Sequence, residues 1–230
     1  MTKIAATRHG LRLSQHGVVI SELRTTPGPT QSVFDVLAAS IAVLTPPGRI
    51  GVLGFAGGGM IAPLRGLGVS AAIDTVDLDR AGYDLFCGHC PVWAAGVNWQ
   101  QSDAVAWLRR QPRAFGLLLD DLSVPQDGGV FKPSISWKVL PELMRQRLRP
   151  GGFAMFNLLP APGGNWKSDL AGIVALFKTA RIIHLDDFEN RIVVAGDTLP
   201  SARELGAQLR QALRRLRSRQ AGRIRVRANY

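Results

Sequence analysis

The sequence predicts a doubly wound α/β fold: a mostly parallel seven-stranded sheet with an antiparallel hairpin at one edge. Three observations carry this. Short apolar runs alternate with stretches long enough for helices, from residue 50 to residue 178. Four glycines within six positions, in V-L-G-F-A-G-G-G-M-I-A-P-L (52–64), follow the first of those runs. The last two runs are joined only by D-D-F-E-N, a turn short enough for a hairpin.

Residues 1–48 read as an N-terminal extension leading into the sheet. H-G-V-V-I-S-E-L (16–23) contains a strand, T-P-G-P-T is a breaker, and Q-S-V-F-D-V-L-A-A-S-I-A-V-L (31–44) is an amphipathic helix. Pro46, Pro47 and Gly48 then introduce strand one, I-G-V-L-G-F (50–55). Further strands are expected at 71–79, 97–101, 115–121, 152–159, 180–185 and 191–196. Helices are expected at 59–67, 80–89, 103–110, 134–148 and 166–178. The expected organisation is thus an extension (1–48), a sheet domain (49–198) and a basic tail (199–230).

Composition narrows the class. A chain of 230 residues can bury a substantial core, and 46% hydrophobic with 20% charged residues is ordinary for a globular protein. The opening M-T-K-I-A-A-T-R-H-G lacks the apolar stretch of a secretory signal. Leu85 to Ser102 is free of Asp, Glu, Lys and Arg but too polar for a membrane span. Two cysteines make no disulfide framework, and a cytoplasmic location is expected.

The net charge of +11 is concentrated at one end. Residues 201–230 hold nine arginines against Glu204, a net +8, which leaves only +3 for the other 200 residues. Leu205, Leu209, Leu213 and Leu216 mark one face of a helix, with arginines over the other. R-I-R-V-R then alternates with period two, as an edge strand or a disordered arm does. A packed helix with a solvated basic side is favoured over a nucleic-acid or acidic-partner contact, because no aromatic residue is interleaved before Tyr230.

Open α/β sheets bind ligands beyond the carboxyl ends of their strands, so the residues just past each strand matter most. Strand one ends in the glycine cluster, where missing side chains let a ligand approach the backbone. Strand two ends at Asp77 and Asp79, about twenty residues on, where a carboxylate can accept ribose hydroxyls. Asp103 follows strand three, and Asp120 and Asp121 end strand four ahead of the loop L-S-V-P-Q-D-G-G. Aspartates cap helices and glycines make turns in any protein, but four such strand ends in register point to a site.

These residues resemble the spermidine synthase (polyamine aminopropyltransferase) branch of the class I S-adenosylmethionine-dependent methyltransferase fold, which is Rossmann-like. G-F-A-G-G-G and V-D-L-D stand at the separation of that branch's G-G-G-D-G-G and V-E-I-D. Asp103-Ala104 matches its adenine-binding pair, D-L-S-V-P (121–125) its D-S-S-D-P, and L-R-P-G-G-F (148–153) its L-K-P-G-G turn. The likeness spans roughly residues 17–198. It implies a site for S-adenosylmethionine or its decarboxylated form at Gly54, Ala56, Gly57, Gly58, Asp77, Leu78, Asp103 and Ala104. It also implies a small-molecule nucleophile as substrate and, commonly in this family, a homodimer. No metal is implied.

The departures are specific. Ala56 replaces the middle glycine of the loop, Gly57 its aspartate, and Val124 the second acid of D-S-S-D-P. Where aminopropyltransferases carry D-E-F-x-Y-H-E, this chain has P-G-P-T-Q-S-V-F-D, so the acidic wall that holds a polyamine is largely missing.

The chemistry such a site would run is in-line attack on a sulfonium carbon, helped mainly by proximity and orientation. An ammonium acceptor must first lose a proton to a nearby carboxylate. Asp121 is the expected base, with Asp120 the alternative if the register differs by one. Methyl transfer to another acceptor competes with aminopropyl transfer, and a silent nucleoside-binding module with a basic partner-binding tail is the reading from a different class. Elsewhere, Cys87-Gly-His-Cys90 lacks the second pair that zinc needs, and the four histidines (9, 16, 89, 184) show no metal spacing. Trp99 and Trp107 flank Asp103, where core packing and an adenine wall are both open.

Overall fold

A computed structural model of the protein describes residues 2–15, 17–44, 48–126, 129–160 and 164–228. His16, Pro46, Pro47, Asp127, Gly128 and Tyr230, which figure in the expectations above, lie outside the described residues.

The N-terminal extension holds more strand than its sequence suggests. An antiparallel sheet runs β1 (Thr2–Thr7), β2 (Gly10–Gln15) and β3 (Val18–Arg24), where one strand was expected. Only Leu13 and Leu23 of this sheet are fully buried hydrophobics, while residues 3–7 of β1 are exposed throughout. A sheet with so small an apolar face leaves little period-two signal to read. Helix α1 (Val33–Leu44) follows, as expected.

The main sheet then builds as β4 (Arg49–Leu53), α2 (Ile61–Gly66), β5 (Ile73–Asp77), α3 (Ala81–His89), α4 (Pro91–Ala94), β6 (Val97–Gln101), α5 (Ala104–Arg110) and β7 (Phe115–Asp120). A two-stranded excursion follows, β8 (Val124–Gln126) with β9 (Gly129–Phe131). The expected helix at 134–148 is two, α6 (Ser134–Lys138) and α7 (Leu140–Arg147), with Pro141 in the first turn of the second. The chain closes with β10 (Leu148–Leu158), α8 (Trp166–Val174), β11 (Thr179–Leu185), β12 (Arg191–Gly196), α9 (Ala202–Arg215) and β13 (Ile224–Arg227).

The sheet order is β13-β11-β12-β10-β7-β4-β5-β6. From β10 through β6 neighbouring strands are parallel, and β12, β11 and β13 are added antiparallel. All seven expected strands are present. The eighth, β13, comes from the arginine-rich tail, which therefore ends as an edge strand. The chain steps outward from β4 to β5 and β6, then returns to the other side of β4 for β7. That reversal makes the boundary between β4 and β7 the switch point.

Alternation along β7 feeds two cores. Leu117 and Leu119 pack with α1, α2, α3 and α9, while Leu118 faces α5, α7 and α8. Leu205, Leu209 and Leu213 are fully buried, so the arginine helix is a packed element with a basic outer face. Ser201 and Glu204 start it with reciprocal side-chain to backbone hydrogen bonds.

A buried carboxylate ties this tail to the front of the molecule. Asp35 accepts from the Thr30 and Gln31 N–H groups, the Thr30 hydroxyl and the Ser218 hydroxyl, the last at 2.6 Å. Burial nevertheless raises its pKa, the hydrogen bonds opposing the rise. Asp35→Ala strands these donors and is expected to cost about 2–4 kcal/mol, read as a lower urea midpoint. A loss under about 1 kcal/mol would show the network to be dispensable.

Candidate functional site

The loop that leaves β4 turns sharply, with positive φ at Gly54 (89°), Ala56 (45°) and Gly58 (69°). Asp77, the last residue of β5, holds the loop in this shape. Its Oδ2 accepts the N–H groups of Phe55 and Ala56, both at 2.8 Å, and its Oδ1 accepts those of Leu78 and Asp79 at 2.7 and 3.3 Å. A side-chain carbon at Gly82, in the first turn of α3, would stand 1.7 Å from the Ala56 carbonyl oxygen, so only glycine fits there. At Gly57 one would meet Leu23 at 2.6 Å and Leu13 at 3.2 Å. The three-stranded sheet thus sits directly on the loop.

The ladder between β4 and β7 continues past the strand end. The Asp121 N–H donates to the Leu53 carbonyl at 2.8 Å, and an added Cβ at Gly54 would lie 2.9 Å from the Asp121 carbonyl oxygen. The glycine loop and Asp121 are therefore neighbours across the switch point. The two aspartates of this strand end differ sharply. Asp120 is fully buried and ion-paired at 3.1 Å with Lys132, whose side chain is 2% exposed. Asp121 faces a cavity of about 800 Å³ that Asp120 does not line.

Asp121 is poised by its surroundings. Burial pushes its pKa up to about 6; Lys132 and the Asn157 hydrogen bond pull it down, while Asp120 and Asp77 push it further up. Asn157 Nδ2 donates to Asp121 Oδ1 at 2.7 Å, and Asn190 Nδ2 donates to Asn157 Oδ1 at 2.9 Å. This relay fixes the carboxylate's orientation from two strand ends away.

Asp103 and Ala104 lie at the start of α5, beyond β6. Asp103 Oδ1 caps the helix by accepting the Ala106 N–H at 2.9 Å, and Ala104 is buried. Leu78 is 68% exposed immediately after Asp77, and none of Asp77, Leu78, Asp103 and Ala104 lines the cavity that Asp121 faces. Trp99 stacks on Tyr83 with centroids 4.9 Å apart, and Trp107 is a core residue that donates to Gln100. Asp79 caps α3 through the Ala81 N–H. The Cys90 thiol donates to the Arg24 carbonyl, tying α3 to β3.

The cavity is wider than the strand ends alone. Residues 29–34, the segment in place of D-E-F-x-Y-H-E, form one wall; β2 and β3 form another, and Phe188, Asn190 and Arg219 a third. Lys132, Asn157, Asn190 and Arg219 are site residues that the sequence reading missed. Asn157 had a signal, as the one polar residue between Gly152 and Leu159. Arg219 had none, since only the folded tail brings it here.

Comparisons with known structures agree with this architecture. A spermidine synthase from Thermotoga maritima superposes with a TM-score of 0.65 at 12% identity, covering 86% of this chain and 70% of that one. A spermidine synthase in complex with the transition-state analogue AdoDATO gives 0.64 at 13%, covering 86% and 71%. Human methyltransferase-like protein 13 in complex with SAH gives 0.59 at 19%, covering 80% and 90%. The chain has the Rossmann-like class I methyltransferase fold, and within it resembles the spermidine synthase branch. No family model matches the sequence, and no curated protein is found as a relative.

Two outcomes follow from this geometry. Gly54→Ala combines a left-handed φ with a close backbone approach and is expected to cost about 2–3 kcal/mol in urea denaturation. Asp121 has a folded pKa above its ordinary 3.8, so its ionisation opposes folding. That penalty is absent below pH 4, grows as the pH rises to about 6, and is fully present above. Asp121→Asn should therefore raise the melting temperature at pH 8 and leave it unchanged at pH 3.5. A lower melting temperature for the variant at pH 8 would contradict the sign.

Proposed function

We propose that the protein is a transferase that binds S-adenosylmethionine or its decarboxylated form and passes an alkyl group to a small-molecule nucleophile. The observation that carries this is Asp121: a cavity-facing carboxylate with a pKa near 6, oriented by Asn157, beside the glycine loop at the switch point. The residues fit the nucleoside. Leu78 offers a flat base an apolar platform, Asp103 keeps Oδ2 for an exocyclic amine, and the loop approaches the sulfonium end through Gly54 and Ala56, which line the cavity, while Gly57 and Gly58 are packed under Leu23 and Phe55. Asp77 is more constrained. Its oxygens already accept four backbone N–H groups, so ribose hydroxyls would have to share them.

The nucleoside supplies an electrophilic carbon on a sulfonium sulfur. Asp121 takes the proton from the acceptor nucleophile as that atom bonds to the carbon, with the carbon–sulfur electron pair leaving on sulfur. Phe55, Leu122 and Phe188 exclude water from the same cavity. Polyamine synthesis is not the proposed reaction, because among the described residues the one other acid lining the cavity, Glu22, is already paired with Arg12, and Val124 is exposed and off the cavity.

Calorimetric titration with both sulfonium nucleosides tests the reading. Tighter binding of the decarboxylated ligand indicates aminopropyl transfer, and tighter binding of the carboxylated one methyl transfer. Binding of neither sinks the proposal. Asp121→Asn should lower kcat by ~10²–10⁴-fold with nucleoside affinity kept. In the wild type kcat/KM should rise with pH and level off above about 6, where Asp121 is ionised.

A further inference from the structure

The cavity that receives the acceptor has a charge opposite to that of a polyamine site. Arg8, Arg12, Arg24, Lys132 and Arg219 line it, against Glu22 and Asp121. Five cations over two anions leave it three positive charges in excess, with His9 also on the lining. Some of this charge is already used. Arg12 Nε and Nη2 both donate to Glu22 Oε1, at 2.9 and 2.7 Å, and Lys132 is held by buried Asp120.

Three arginines are less fully engaged. Arg24 donates through Nη1 to the Pro29 carbonyl, while its buried Nε has no partner among the described residues. An N–H left so is destabilising unless a ligand or water meets it. Arg219 reaches Asp187 only at 3.8 Å, and Asp187 is already paired with Arg223. Arg8 is exposed on the cavity rim. Between these cations the walls are apolar: Val19, Ile20, Leu23, Phe34 and Phe188.

Resting on the transferase reading, we propose that the acceptor is an organic anion: a carboxylate or phosphate head held by Arg8, Arg24 and Arg219, on an apolar body. A cation such as spermidine would meet Arg8, Arg12, Arg24, Lys132 and Arg219, with only Asp121 and the Arg12-paired Glu22 to attract it. Attraction to three arginines in a partly water-excluded cavity selects for anions, and like-charge juxtaposition rejects amines. The basic tail thereby gains a place in the site, since Arg219 arrives on the 3₁₀ turn (Arg219–Gly222) after α9.

Octanoate, octyl phosphate and octylamine, matched in chain length, are titrated into the full chain saturated with S-adenosylhomocysteine. At least one anion should bind tenfold or more tighter than octylamine, and the ratio of the two anions names the head group. Raising KCl from 50 to 500 mM should weaken anion binding severalfold. Arg8→Glu with Arg219→Glu should weaken it tenfold or more while the S-adenosylhomocysteine affinity stays within twofold. Octylamine binding as tightly as both anions overturns the proposal, as does anion binding indifferent to salt and to the double variant. If the double variant does not fold, the salt series and the amine comparison on the wild type decide alone. Arginine-dependent anion binding without any nucleoside binding would leave the anion site standing and remove the transferase reading.

Discussion

A single carboxylate sets the shape of the strand-end face. Asp77 gathers the N–H groups of Phe55 and Ala56 on one oxygen and those of its own two successors on the other. Ala56 is thereby held at a positive φ that costs an alanine about 1 kcal/mol. With the loop pinned, Gly54 can lie against Asp121, Gly82 can start α3 under the Ala56 carbonyl, and Leu13 and Leu23 can close over Gly57. Without that anchor the loop would face its orphan N–H groups to water, and the three-stranded sheet would lose the surface on which it rests.

The same economy of space separates Asp120 from Asp121. Adjacent residues on a strand point to opposite faces, so one aspartate is driven into the interior and the other into the cavity. The inner one is neutralised by Lys132, a cation delivered by the short excursion β8–β9. The outer one inherits a desolvated position with Lys132 close enough to temper it. Two carboxylates one residue apart therefore serve different ends, one closing the sheet and one facing solute.

The parallel sheet was legible because its strands are short apolar runs bounded by glycine, proline or aspartate, which both buried faces demand. The glycine loop, Asp77, Asp103 and Asp121 were legible as strand-end residues in register, and the fold does bring Gly54 and Asp121 together. Asp77 was read as a ligand residue, and the hydrogen bonds show it holding the loop. That use leaves the same sequence signature, an acid about twenty residues past the glycines. Strands β1 and β2 were not legible because their residues bury so little. Lys132, Asn190 and Arg219 were not legible because long-range folding alone assembles them. The tail's two periodicities, helical then strand-like, were both visible, but not that its last strand would pair with β11.

The wall bearing Arg219 closes over a very long chain separation. Gln31 Nε2 donates to the Arg217 carbonyl and Gln31 Oε1 accepts from the Arg219 N–H, contacts spanning 186 and 188 residues. Contacts of that reach carry a large loop-closure entropy. Every strand of the main sheet except β13 lies before residue 197, so the strand-end face is built without the tail, whereas Arg219 reaches the cavity only with it. The third wall is thus composite: Phe188 and Asn190 come with the hairpin of β11 and β12, and only Arg219 comes from a segment that docks onto Gln31 from nearly two hundred residues away.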